Sequence, residues 1–163
     1  MKALHYYLIA LVVVALDQAS KYAITSRISF GNTIPVLGQV FQLTAVRNPG
    51  GAFGLFQSWA GLLTVLTLSA VIVIFALITR RAALPVLWGI ALALLLGGAG
   101  GNLIDRIRLG YVVDFLQIPV WPVFNLSDVS ITTGIALLGY HLIFCDGRKV
   151  DVDAVRRDPL GKA

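Results

Sequence analysis

The chain has 163 residues, of which 58% are hydrophobic and only 13% are charged, and its mean hydropathy is +0.85. A water-soluble domain carries about 25% charged residues, so this composition excludes a soluble globular protein and indicates a membrane protein. The single cysteine excludes an internal disulfide framework, and one cysteine with two histidines argues against a Cys/His metal site. The net charge of +5 suits anionic lipid, and no basic stacking platform indicates nucleic-acid binding.

Four apolar segments are predicted to cross the membrane as helices. In chain order they cover about residues 4–24, 59–79, 82–101 and 129–145. The second and third contain no charge over 21 and 20 residues, enough at 1.5 Å per residue to cross a hydrocarbon core of about 30 Å. The predicted organisation is one four-span domain, residues 1–145, followed by a charged cytoplasmic tail, residues 146–163.

The first segment has an alternative interpretation as a cleavable signal peptide, because Lys2 precedes the apolar run 8–16. No small-residue cleavage site precedes Asp17, however. Asp17 and Lys21 are spaced i, i+4, which allows them to pair on one face of a continuing helix. We therefore expect this segment to be retained as a span.

The distribution of basic residues predicts the orientation in the membrane. Eight basic residues lie on the side of the two termini and four on the other side, while Lys21 lies within a span. The positive-inside rule therefore places both termini in the cytoplasm. The two longer connections, residues 25–58 and 106–127, are predicted to face outward.

These outer connections contain strand-like patterns. Residues 39–46 alternate between two faces, residues 48–51 have the composition of a turn, and residues 52–56 are apolar, which together predict a β-hairpin. Residues 111–118 form a second strand-like run. The predicted fold class is an all-α membrane protein, with four transmembrane helices and a small β-sheet or hairpin on the outer (periplasmic) membrane surface.

Polar side chains are concentrated at the outer ends of the predicted spans. They are Asp17, Lys21, Asn102, Asp105, Arg106, Asn125, Ser127 and Asp128, with Asn48 and Asp114 in the outer connections. Ionisable residues in or beside spans are costly and are functional hypotheses by default. Their convergence on one membrane interface therefore predicts a functional site there.

Structural roles remain open for most of these residues. The Asp17–Lys21 pair could serve only to make a helix tolerable in lipid, and residues 102–106 could simply terminate a helix. One residue among 125–128 could cap the following helix. Asp114 is the hardest to explain structurally, because it lies inside an apolar strand-like run, where aspartate is depleted.

Residues 97–101 form a run of five small residues at the end of a predicted span. Each glycine lowers helix stability by about 1 kcal/mol relative to alanine. Close helix packing through small residues is one explanation. The other is that close packing opens a groove beside Asn102 for a peptide chain or a lipid, and the two explanations are compatible.

The residue types present favour one hydrolytic mechanism. The chain has no glutamate, which excludes an H-E-x-x-H zinc protease, and no histidine or lysine is placed to activate a serine. Two aspartates in a low-dielectric site can share one proton, so that one activates water while the other stays protonated. Asp114 and Asp128 are the best candidates. A small four-span transporter is the alternative, although it would place its acids near the membrane midplane.

Five motifs, taken in order, closely resemble those of the lipoprotein signal peptidase (signal peptidase II) family. They are Asp17-Gln18-x-x-Lys21, Asn48-x-Gly50-x-Ala52-Phe53, Gly97-Gly98-Ala99-x-Gly101-Asn102-x-x-Asp105-Arg106, Val112-Val113-Asp114-Phe115 and Phe124-Asn125-x-x-Asp128. The resemblance implies a bacterial inner-membrane aspartic endopeptidase without a cofactor or metal. Its substrates would be prolipoproteins, cleaved before a cysteine that carries diacylglycerol.

The resemblance also implies a role for each motif residue. The catalytic dyad would be Asp114 and Asp128; the substrate cleft would be lined by Asn48, Asn102, Arg106 and Asn125; and Asp17, Lys21, Gly98 and Asp105 would support the site. Membrane phospholipid is a further expected partner, and the protein is expected to be a monomer.

Two positions depart from the family pattern. Ser127 stands where alanine is more usual before the second aspartate, and Gly51 stands where alanine is usual in the second motif. A serine beside Asp128 could hydrogen-bond the dyad or the helix end.

Overall fold

The structure contains four long helices and a three-stranded antiparallel sheet. It is a computed structural model that describes residues 3–50, 60–80 and 84–145. The helices are α1 (Ala3–Thr25), α2 (Ala60–Arg80), α3 (Val86–Leu109) and α4 (Leu126–Phe144), and the strands are β1 (Thr33–Leu37), β2 (Phe41–Asn48) and β3 (Val112–Gln117). All four helices are long and apolar enough to cross a membrane. The predicted fold class is therefore confirmed.

Two helices extend beyond the apolar segments that predicted them. Helix α3 continues past residue 101 to Leu109 and ends at Gly110, whose φ of 80° is the left-handed conformation that glycine adopts readily. Helix α4 begins at Leu126 rather than at residue 129, because Asn125 caps it. The last turns of α3 and the first turn of α4 contain polar residues, so a prediction based on hydropathy does not include them. The predicted tail, residues 146–163, lies outside the described residues.

The sheet has the order β1-β2-β3, with β2 in the centre. Strands β2 and β3 correspond to the two strand-like runs of the sequence. Strand β2 pairs with the preceding β1 on one side and with β3 on the other, and β1 is a partner that the sequence did not predict. Residues 52–56, the predicted second strand of the hairpin, lie outside the described residues.

Helix α3 is the centre of the helical bundle. In the 18-residue apolar stretch of α3, 61% of the residues are buried, whereas 17% or less are buried in the corresponding stretches of the other three helices. Those helices expose large apolar side chains, among them Leu11, Val65 and Ile143. Such a surface is unstable in water and suits contact with lipid.

Glycines allow α3 to approach α1 and α4 closely. A Cβ atom on Gly97 would lie 2.6 Å from Val13 Cβ, and one on Gly98 would lie 2.5 Å from the backbone oxygen of Ser127. Real Cβ atoms essentially never make such contacts, so these positions require glycine at the present helix separation. Close packing through small residues therefore explains this part of the run.

The α3–α4 contact can be tested by substitution. Gly98→Ala is expected to lower the free energy of unfolding by about 1–3 kcal/mol, because the added methyl group overpacks the helix interface. Gly100→Ala is the matched control, since its Cβ would meet only Val14 Cγ2, at 3.4 Å. Its higher helix propensity is expected to raise stability by up to about 1 kcal/mol. Thermal unfolding in detergent micelles measures both, and equal stability of the two variants would contradict the close contact.

Candidate active site

A buried ion cluster joins α1 to α3. The Lys21 ammonium nitrogen lies 2.8 Å from Asp17 Oδ2 and 2.8 Å from Asp105 Oδ2, and it donates a 3.0 Å hydrogen bond to Asn102 Oδ1. These three acceptors match the three N–H donors of an ammonium group. All four residues are buried. The charges are therefore paired and hydrogen-bonded, as a low-dielectric site requires.

The two carboxylates of this cluster also accept hydrogen bonds from the backbones of α4 and β3. Asp17 Oδ1 accepts a 3.0 Å hydrogen bond from the backbone N–H of Ser127, in the first turn of α4. Asp105 Oδ2 accepts one of 3.1 Å from the backbone N–H of Val113 in β3. Gln18 Nε2 donates to Asp105 Oδ1 at 2.9 Å. The cluster thus connects α1 and α3 to the starts of α4 and β3.

Two asparagine side chains link Asp114 to Asp128. Asn125 Nδ2 donates to Asp114 Oδ1 at 2.6 Å and to Asn102 Oδ1 at 3.1 Å. Asn102 Nδ2 donates to Asp128 Oδ1 at 2.9 Å. The amide oxygen of Asn102 also accepts from Lys21, so its NH₂ group is directed to Asp128. The lysine therefore fixes the amide orientation that bridges the two aspartates.

Asp128 is also held by the N-terminus of α4. The Asn125 side chain accepts a 3.0 Å hydrogen bond from the Asp128 N–H, and Asp128 Oδ2 accepts one of 3.2 Å from the Asn125 N–H. This reciprocal capping box places a carboxylate at the positive end of the helix dipole. The structural alternative for residues 125–128 is therefore confirmed: Asn125 and Asp128 cap the helix, and both also contact other residues of the candidate site.

Asp114 is the more deeply buried of the two aspartates, with 2% of its surface exposed. Its Oδ2 atom accepts a 2.7 Å hydrogen bond from Asn48 Nδ2. Burial, with a smaller contribution from the charge of Asp128, raises the pKa of Asp114 to about 7, although the Asn48 bond acts to lower it. A carboxyl group with this pKa is protonated in about half of the molecules at neutral pH.

Two cavities of about 400 Å³ each meet beside the aspartates. The first is a mainly apolar groove between α2, α3 and α4. The second lies between strands β2 and β3, the loop after β3 and helices α3 and α4, and both aspartates line it. The residues that line both cavities are Asn102, Arg106 and Asp128. The groove is lined in addition by Leu66, Thr67, Ala70, Ile74, Leu95, Ala99 and Ile131, and the second cavity by Asn48, Val112, Asp114, Trp121, Pro122, Val123, Phe124 and Thr132.

The structure brings the predicted site residues to one end of the bundle, with two differences in placement. Asn125, predicted to line the substrate cleft, is fully buried behind the aspartates. Ser127 Oγ has no hydrogen-bond partner among the described residues, so it bonds neither the dyad nor the helix end. Gly98, predicted to support the site, lies against the first turn of α4, where a Cβ atom would come within 2.5 Å of the Ser127 carbonyl oxygen. Gly51 lies outside the described residues.

Arg106 lines both cavities. Within the described residues it donates to Thr67 Oγ1 at 3.4 Å and forms no ion pair. In this part of the chain, most of its five N–H donors are therefore available to a bound molecule.

Sequence reasoning missed several residues of the cavity walls. Thr67 and Trp121 are the clearest cases, one on α2 and one in the loop after β3. Neither residue is ionisable, and neither is a charged residue in an apolar segment, so the sequence offered no reason to select them. In the described part of the chain, no group of three or more His, Cys, Asp or Glu side chains is arranged to hold a metal ion.

Two sequence comparisons with known proteins agree on one family, and a solved structure shares the fold. The model of the family described as signal peptidase (SPase) II matches residues 9–144. Lipoprotein signal peptidases of Moorella thermoacetica and Bacillus velezensis are 44% and 40% identical to the chain, covering 88% of it and 96% and 97% of their own lengths. A bacterial membrane enzyme solved by the in meso method at 2.3 Å resolution is similar with a TM-score of 0.83 and 30% identity, over 90% of this chain and 92% of that one.

The role of the ion cluster can be tested by removing its cation. Lys21→Met is expected to lower the free energy of unfolding by about 3–5 kcal/mol, because it leaves buried carboxylates without a counter-charge. Arg108→Met is the matched control: it removes an exposed cation from the last turn of α3 and should change stability by less than about 0.5 kcal/mol.

Adding Asp17→Asn and Asp105→Asn to Lys21→Met should restore part of the lost stability, because no unpaired charge then remains buried. Thermal unfolding in micelles measures all the variants. If Lys21→Met were as stable as Arg108→Met, the cluster would not hold these elements together.

Proposed function

The chain belongs to the signal peptidase II family of lipoprotein signal peptidases, which are membrane aspartic peptidases, and on that premise we propose that Asp114 and Asp128 are its catalytic dyad. The observation that carries the proposal is the pair of asparagine amides that connects the two carboxylates at the wall of one cavity. The dyad belongs to the class in which two carboxyl groups hold one proton between them. A transporter is set aside, because Asp114 lies in strand β3 and Asp128 in the first turn of α4, rather than near the midplane of a span.

The substrate we propose is a prolipoprotein whose cysteine, next to the cleavage point, carries diacylglycerol. Its apolar signal segment fits the groove between α2, α3 and α4, whose walls include Leu66, Ile74 and Ile131. The groove and the second cavity share Asp128 in their walls. A peptide that passes from one cavity to the other therefore brings its backbone to the dyad.

In the proposed reaction the two aspartates have different roles. Asp114, buried and with its raised pKa, carries the proton and donates a hydrogen bond to the scissile carbonyl oxygen. Asp128, at the N-terminus of α4, removes a proton from the attacking water. The water oxygen bonds to the carbonyl carbon. The C–N bond then breaks as the leaving amine takes a proton from the dyad.

Arg106 and Asn48 are proposed to position the substrate. Arg106 lines both cavities and has N–H donors that no described residue accepts, so it can bind peptide carbonyl oxygens or the ester oxygens of the glyceryl group. Asn48 lines the second cavity while one of its amide hydrogens holds Asp114. Asn102 and Asn125 are proposed to act through the aspartates, by orienting the two carboxylates with hydrogen bonds.

The chain is a multi-pass bacterial membrane protein, and we propose that its site lies on the outer face of the inner membrane with both termini in the cytoplasm. The excess of basic residues on the side of the termini supports this orientation. One chain supplies both aspartates and both cavities, so the protein is proposed to act as a monomer, with membrane phospholipid around its exposed apolar helices.

The dyad can be tested with isosteric variants. Asp114→Asn and Asp128→Asn are each expected to reduce cleavage of a diacylglyceryl-modified precursor by about 100-fold to 10,000-fold, the usual contribution of a general acid or base. Both should still fold and bind the uncleaved precursor, because asparagine has the size of aspartate. Their unfolding temperatures should be somewhat lower, because both oxygens of each aspartate accept hydrogen bonds and one is replaced by an NH₂ donor. A folded variant that cleaves at the wild-type rate would contradict the assignment.

The unmodified precursor is the substrate control for the same assay. The wild-type protein is expected to cleave the modified form and leave the unmodified one intact. Equal cleavage of both would show that the diacylglyceryl group is not recognised.

The proton assignment can be tested by pH dependence. Because Asp114 acts in its protonated form and has a pKa of about 7, kcat/KM is expected to fall as the pH rises through about 7. Asn48→Ala removes a hydrogen bond that lowers this pKa, so the alkaline limb should move to higher pH. Asn32→Ala, at an exposed asparagine before β1, should leave it unchanged. An alkaline limb that does not move in Asn48→Ala would contradict the assignment of the proton to Asp114.

A further inference from the structure

One end of the sheet carries exposed apolar side chains that the proposed reaction does not use. Pro35, Gln42 and Gln117 lie side by side across the three strands. The turn at residues 38–40 and the loop at residues 118–123 therefore leave the sheet at the same end. The exposed apolar residues there are named the apolar rim: Leu37, Val40, Ile118, Val120 and Trp121.

The rim is costly to keep in water. Leu37, Val40 and Trp121 are each exposed by 65% or more, and Val120 is fully exposed. Val120 also has a φ of 59°, in a turn in which the Trp121 N–H donates to the Ile118 carbonyl at 3.4 Å. Glycine is the usual residue at such a position, and a β-branched side chain is strained there. The turn thus holds an apolar side chain outward in a conformation with its own energetic cost.

The rim lies beside the first two turns of α4. A cavity of about 250 Å³ is lined jointly by Trp121 and Phe124 of the loop and by Val129, Thr132 and Thr133 of the helix. Helix α4 has 19 residues and is about 28 Å long, so almost its whole length is needed to cross a hydrocarbon core of about 30 Å. Side chains level with Thr133 therefore lie within the bilayer, and Trp121 reaches towards that level.

We propose that the apolar rim inserts into the lipid beside α4 and anchors the sheet to the bilayer. The occupant of this surface is the boundary between acyl chains and head groups in the leaflet that holds the N-terminal half of α4. The rim continues the lipid-facing surface of that helix, where Val129 is 43% exposed. Tryptophan is favoured at this depth of a membrane, and burial in lipid removes the cost of exposing the other side chains.

Insertion of the rim has a consequence for the second cavity. Trp121 lines both that cavity and the one beside α4. The anchor therefore keeps one wall of the cavity that contains Asp114 at the level of the lipid. The proposal extends the proposed function by naming this surface, but it depends only on the membrane position of α4 and not on the catalytic roles.

Spin-label accessibility measures the depth of the rim. Cys145 is the only cysteine of the chain, so Cys145→Ser with Val120→Cys gives one labelling site. Cys145→Ser with Asn32→Cys is the matched control, an exposed position at the other end of β1. The proteins are reconstituted in phosphatidylethanolamine and phosphatidylglycerol vesicles. Relaxation of the label is compared for oxygen, which concentrates in the bilayer, and for a nickel chelate, which stays in water.

The label at position 120 is expected to be relaxed more by oxygen than by the nickel chelate, and the label at position 32 more by the chelate. Equal access of the chelate to both labels would place the rim in water and overturn the proposal. Protection of the label at 120 from both reagents would overturn it too, since the rim would then be covered by protein, either a second copy or this chain. Neither outcome depends on cleavage, so the result is separate from that of the dyad variants.

A second measurement keeps the native rim. In Trp59→Phe/Trp88→Phe protein Trp121 is the only tryptophan. Its fluorescence is expected to be quenched by lipids brominated on their acyl chains and to be little affected by aqueous acrylamide. Strong acrylamide quenching without quenching by brominated lipid would overturn the proposal.

Discussion

The site depends on one buried ammonium group, that of Lys21. A charge at the end of a membrane span is stable only when its partners are fixed, and here Asp17, Asp105 and Asn102 meet all three of its N–H bonds. Through the two carboxylates the same contacts reach the first turn of α4 and the start of β3. Glycines such as Gly98 make this possible, because they allow the helices that carry these groups to approach closely. The ion pairs therefore depend on the close packing of the helices.

Lys21 also affects the proposed catalytic aspartates, because it fixes the orientation of the Asn102 side chain. The Asn102 amide could be oriented either way, but because its oxygen accepts a hydrogen bond from Lys21, its NH₂ group is directed to Asp128. Asn125 completes the link to Asp114 and caps α4 at the same time. Two carboxyl groups are thus held in different surroundings, one buried in strand β3 and one at a helix terminus. Such a difference allows one aspartate to hold a proton while the other accepts one.

The sequence predicted those parts of the structure whose polarity differs from that of the neighbouring residues. Long apolar runs predicted the four helices, and polar residues beside them predicted which side chains meet at the site. Strand β1 was not predicted, because all five of its residues are exposed and Pro35 interrupts its pattern. The end of α3 and the start of α4 were missed because polar residues there bond within the protein instead of facing lipid. The burial of Asn125 and the position of Trp121 in the wall of the second cavity depend on tertiary packing, which no local pattern records.

Infrared titration of the protein in micelles tests most directly whether Asp114 and Asp128 hold one proton between them. The wild-type protein is expected to show a protonated carboxyl band that titrates with a midpoint of about 7. Asp114→Asn should remove this band. Asp128→Asn should move its midpoint to lower pH, because the neighbouring negative charge is gone. A wild-type spectrum without a protonated carboxyl group just below neutral pH, or a band that persists unchanged in Asp114→Asn, would contradict the shared proton.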